Sequence, residues 1–136
     1  MTAVTMILRA SQDLPALLWA HWLLRLPLAL IIFQQGAAKT PITAEDAASY
    51  GLPLAAWALA AFGEMAAGIG LVAGGFVRGW QGDLMTRLAG AALASIVVGV
   101  LIVVYWAPPL EILLYNQFHL LLLLGGLFFA FRGNRA

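Results

Sequence analysis

Two charges stand inside otherwise apolar sequence: Arg25 in "RLPLALIIFQQGAAK" and Glu64 in "AAFGEMAAGIG". In a hydrocarbon-like setting such groups fix helix register by pairing, or they bind a proton, a quinone or an anion. At 1.5 Å per residue, Arg25 lies about 15 Å from Gln35 at the end of its segment, and Glu64 about 16 Å from Pro53 at the start of the next. With level helix ends the two share one depth, and the spacing predicts an Arg25–Glu64 ion pair. His119, about 12 Å from Glu111 on the same count, joins this buried polar cluster, with Gln35 at its outer edge. On a helical wheel His21, Arg25, Gly36 and Lys39 share one stripe, which makes His21 and Lys39 further polar residues of that face. His21 and His119 also raise bis-imidazole haem ligation. Their depths differ by about 9 Å, which argues against it.

The elements that must position these side chains are membrane helices. Of the 136 residues, 63% are hydrophobic and 10% charged, and the mean hydropathy is +0.94. A soluble globular chain has roughly 45–50% apolar and about 25% charged residues. Four apolar segments, about 14–36, 53–76, 86–107 and 111–131, approach the ~20 residues that cross ~30 Å of hydrocarbon. The expected fold is an all-α, four-helix antiparallel transmembrane bundle forming a single domain over residues 1–136. Asp13 and Pro15 read as the cap and first turn of the first helix, and Pro27 as a kink within it. Thr43, Asp46, Gly51 and Pro53 predict a short interfacial helix in the first loop. Ala60, Gly63, Ala67, Gly70 and Gly74 form a small-residue face beside Glu64, so the carboxylate is expected to face protein.

Basic residues beside the helix ends set orientation. Arg9, Arg78, Arg87, Arg132 and Arg135 fall on one side and Lys39 on the other, a bias that places both termini in the cytoplasm. Trp19, Trp22 and Trp80 on one side, and Trp57, Tyr105 and Trp106 on the other, read as interfacial anchors in membrane lipid. "MTAVTMILRASQD" lacks the features of a cleaved secretory signal. The absence of cysteine excludes thiolate-ligated metals and disulfide chemistry. A net charge of +1 without a basic cluster gives no footprint for nucleic acid. No metal-ligand spacing or serine elbow is present.

Arg25, Gly36 and Lys39 in the first segment, "YGLP" after it, and "GEMAAGIGLVAGGFVR" around Glu64 resemble the DoxX-like membrane proteins over about residues 20–80. Two departures are Gln35, where the family often has histidine, and Phe33, displaced by one place. The resemblance implies a multi-pass protein of the bacterial inner membrane linked to redox metabolism, and one relative resembles a subunit of a thiosulfate:quinone oxidoreductase. Three functions follow as expectations. The first is a non-catalytic accessory subunit of a larger redox complex, with other membrane or redox subunits as partners and no metal or haem of its own. The second is a quinone-reactive subunit using Arg25, Glu64 and His119. The third is a small transporter or channel.

Overall fold

The computed structural model describes residues 2–12 and 18–135. Among these, every regular element is a helix: α1 (Ala3–Gln12), α2 (Trp22–Ala37), α3 (Ala44–Ser49), α4 (Leu54–Phe76), α5 (Trp80–Val103), α6 (Pro109–Tyr115) and α7 (Gln117–Arg132). α4 and α5 are long and apolar enough to cross a membrane. α6 and α7 satisfy that test only as a pair, bent by 98°, and α2 is apolar but shorter. Sixteen residues of α2 rise about 24 Å, less than the hydrocarbon thickness.

Several boundaries differ from the sequence reading. The helix of the first apolar segment, α2, begins at Trp22, after turns at residues 18–21; Asp13 and Pro15 lie outside the described residues. The third begins at Trp80 rather than 86, with Asp83 in its first turn, where a carboxylate suits the helix dipole. It stops at Val103, ahead of Pro108 and Pro109. The fourth is not continuous over 111–131. Asn116 leaves the helical conformation (φ −125°, ψ 38°), and its side-chain oxygen lies 2.6 Å from His119 Nδ1, so α6 and α7 separate there. The loop helix forms as expected, with the amide N–H of Asp46 donating to Thr43 Oγ1 at 3.1 Å.

α2 packs on α4, α4 on α5 and α5 on α7, while α2 and α7 meet more sparsely. Leu28, Ile32, Leu71, Leu93, Val97, Leu101, Leu122 and Phe129 form the shared core. Small residues bring the backbones together. A Cβ on Gly90 would strike the carbonyl of Gly126, and one on Gly36 would strike Ala61 and Met65. Gly36→Val should therefore overpack the α2–α4 seam and cost about 1–3 kcal/mol. The apparent melting temperature in detergent should fall; an unchanged value would contradict this packing.

The Gly36 contact also fixes the register. Gly36 abuts Ala61 and Met65, and Gly68 abuts Ala29 and Phe33. α4 thus extends about seven residues, or about 10 Å, beyond the point where α2 ends. The 38–53 connection is not a tight turn between level helices; it carries α3, which packs against α4. The end of the molecule where α2 finishes and α7 begins is its upper end.

Candidate functional site

The expected Arg25–Glu64 pair does not form. With α2 and α4 in this register, Glu64 lies opposite the upper end of α2, and Arg25 lies opposite Leu71, about two turns lower. The polar residues divide into two centres.

The lower centre is built on Arg25, which has no exposed surface. Its Nη1 donates to the Leu71 carbonyl at 2.5 Å and to Thr86 Oγ1 at 2.9 Å. Nη2 donates to Asn134 Oδ1 at 2.7 Å, and Nε to His21 Nδ1 at 3.2 Å. The guanidinium lies between the rings of Trp22 (5.3 Å) and Phe129 (4.7 Å). Asn134 also donates through Nδ2 to the Gly74 carbonyl at 2.6 Å and through its backbone N–H to Asp83 Oδ1 at 2.8 Å. Asp83 Oδ2 accepts from Arg87 Nε at 2.8 Å. The same Arg87 guanidinium caps α7 by donating to the carbonyls of Ala130, Phe131 and Arg132. Among the described residues no carboxylate touches Arg25, since the ion pairs are Lys39–Glu64 and Arg87–Asp83. Carbonyl, hydroxyl and amide oxygens solvate the cation instead, tying α2, α4, α5 and the segment after α7 together.

The upper centre is open. Lys39 Nζ donates to Glu64 Oε2 at 2.6 Å and to the Gln35 carbonyl at 3.0 Å. The Glu64 side chain is 5% exposed and that of Lys39 16%. Lys39 Nζ stands 5.5 Å from the Trp57 ring, on which Tyr50 stacks at 5.0 Å. Across the space, Tyr105 contacts the His119 ring at 4.7 Å. These residues line a cavity of about 340 Å³ with an apolar floor that includes Ile32, Val97 and Leu122. Trp57 is buried rather than an interfacial anchor, and its indole Nε1 is the buried side-chain polar atom without a hydrogen-bond partner among the described residues. Such orphans are rare in folded proteins and call for a physical reason.

The sequence-predicted residues are thus redistributed. Glu64, Lys39, Gln35 and His119 meet in the upper cavity, whereas Arg25 and His21 belong to the lower centre. His119 does not join Arg25, and the two histidines do not face one another. Sequence reasoning missed Tyr50, Trp57 and Tyr105 above, and Thr86, Asp83 and Asn134 below. Trp57 was within reach, because positions 57, 60 or 61 and 64 fall on one helical stripe. Asn134 carried no such signal.

Chemically, the Arg25 guanidinium of the lower centre is buried with its donors engaged, while the upper cavity offers a donor on Lys39, an acceptor on Glu64, and groups able to exchange protons on Glu64 and His119. That set suits a flat molecule with oxygen acceptors at its edges. No protein-family model matches the chain, and no curated protein or solved structure matches it.

Proposed function

We propose that the chain is a DoxX-like, multi-pass subunit of a membrane redox assembly, and that its upper cavity holds a quinone-type head group. The observation that carries this reading is the Lys39–Glu64 pair set in a cavity walled by the Tyr50 and Trp57 rings. Lys39 donates to an oxygen of the head group, and the Tyr50 and Trp57 rings supply a flat aromatic wall. Glu64 and His119 give and take the two protons that accompany two-electron quinone reduction. A partner subunit carrying its own cofactor supplies or accepts the electrons.

The finer membrane arrangement belongs to the same proposal. α2, α4, α5 and the bent α6–α7 pair make four passes in a bacterial inner membrane, with both termini cytoplasmic. The concentration of Arg9, Arg78, Arg87, Arg132 and Arg135 on one side of the sequence-derived spans supports that orientation. Purification in mild detergent, followed by mass spectrometry of the extracted small molecules and co-purifying chains, should find quinone together with cofactor-bearing subunits. Ion flux through the chain alone in liposomes, with neither quinone nor partners retained, would replace this reading with a channel.

A further inference from the structure

The walls of the upper cavity differ in how they close. α2 is sealed to α4, α4 to α5 and α5 to α7 by extensive packing, but α2 and α7 make few contacts. Those contacts lie low: Arg25 stacks on Phe129, and Leu28 fills the space above Gly125. One turn higher the buried Ile32 and Leu122 close the seam as the floor of the cavity, and above them it runs between the exposed Gln35 on α2 and the half-buried His119 on α7. α6 is not a straight continuation of α7: it is bent from it by 98° and has no buried residue, Ile112 packing only partly against the core. Toward the loop side, by contrast, Asp46, Tyr50 and Leu52 from α3 and its following turn form a roof.

We infer that the cavity opens sideways, between the upper halves of α2 and α7, and takes an amphiphile from the bilayer: a head group inside and an apolar tail running out along the seam. The inference rests on the proposed quinone-type site and narrows its ligand to a lipid-soluble, tailed molecule. The stripe that faces α2 on α7 continues from Phe129 and Gly125 through Leu122 to Phe118, which is exposed, as is Leu121 beside it. On α2, Ile31 shares the stripe of Leu28 and Gln35 and is partly buried against the core. These side chains give the tail an apolar path at hydrocarbon depth. The wholly apolar groove on the other side of α2, lined by Leu26, Leu30, Phe33 and Ile69, is walled off from the head-group site by the tight α2–α4 contact at Gly36 and Gly68.

The test uses the wild-type full chain in phosphatidylcholine vesicles and a benzoquinone whose decyl tail carries a diazirine near its end. After irradiation, adducts are mapped by mass spectrometry against a decane diazirine that lacks the head. The expected result is head-dependent labelling of Ile31, Phe118 and Leu121. Head-dependent labelling concentrated on residues 44–52, or on Leu26, Leu30 and Ile69, would overturn the sideways entrance while leaving a quinone site in place. Labelling equal to that of the headless probe would overturn the quinone reading and the entrance with it.

Discussion

Arg25→Leu is expected to lower the stability of the folded chain by about 2–5 kcal/mol. The guanidinium makes three hydrogen bonds to oxygen acceptors on α4, α5 and the segment after α7, each worth about 1.5–3 kcal/mol when one partner is charged. Releasing a buried cation returns about 2.5–3.5 kcal/mol on membrane-insertion scales, so the net effect remains a loss. Arg25→Lys should rescue little. One ammonium on a flexible stem cannot reproduce a planar fork that reaches Leu71, Thr86 and Asn134 together. Thermal unfolding in detergent measures both variants, and a lysine variant as stable as wild type would refute the assigned geometry.

The second large effect is expected at the upper pair. Lys39→Ala leaves the Glu64 carboxylate buried without its ammonium, a loss of about 3–5 kcal/mol that protonation of Glu64 would reduce. Replacing Lys39 by Met and Glu64 by Leu together should recover part of it. In double-mutant cycles Lys39 and Glu64 should couple by about 0.5–3 kcal/mol, whereas Arg25 and Glu64 should be additive within about 0.5 kcal/mol. The reverse pattern, with coupling between Arg25 and Glu64, would restore the ion pair that the sequence alone predicts.

That ion pair shows what could and could not be read from sequence. Hydropathy located α4 to within a residue, and the inward placement of Glu64 followed from its small-residue neighbours; Glu64 is 3% exposed. The inward stripe of α2 was legible too, since Arg25, Ile32 and Gly36 are buried. Depth was not. It depended on assuming level helix ends, and the 38–53 connection, folded around α3, shifts α2 down against α4 by about two turns. Once Arg25 drops, Lys39 becomes the cation within reach of Glu64. The break at Asn116 was hidden for a different reason: the apolar runs 112–115 and 120–124 outweigh the polar Asn116, Gln117 and His119 between them, so hydropathy runs on through a bend that backbone conformation makes. Asn134 was invisible because its partners Arg25, Thr86, Asp83 and Gly74 come from distant parts of the chain.

At the centre of the proposed function, Lys39 donates to a quinone-type head beside Glu64 and the Trp57 ring. Its most direct test is equilibrium binding of decyl-benzoquinone to the purified protein in detergent, wild type against the double variant Lys39→Met, Glu64→Leu, with folding of both confirmed by thermal unfolding. Saturable binding to wild type is expected, weakened about tenfold in the double variant, because it keeps the aromatic wall but lacks the hydrogen bond from Lys39. Absence of saturable binding to wild type, or equal affinity in the two proteins, would contradict it.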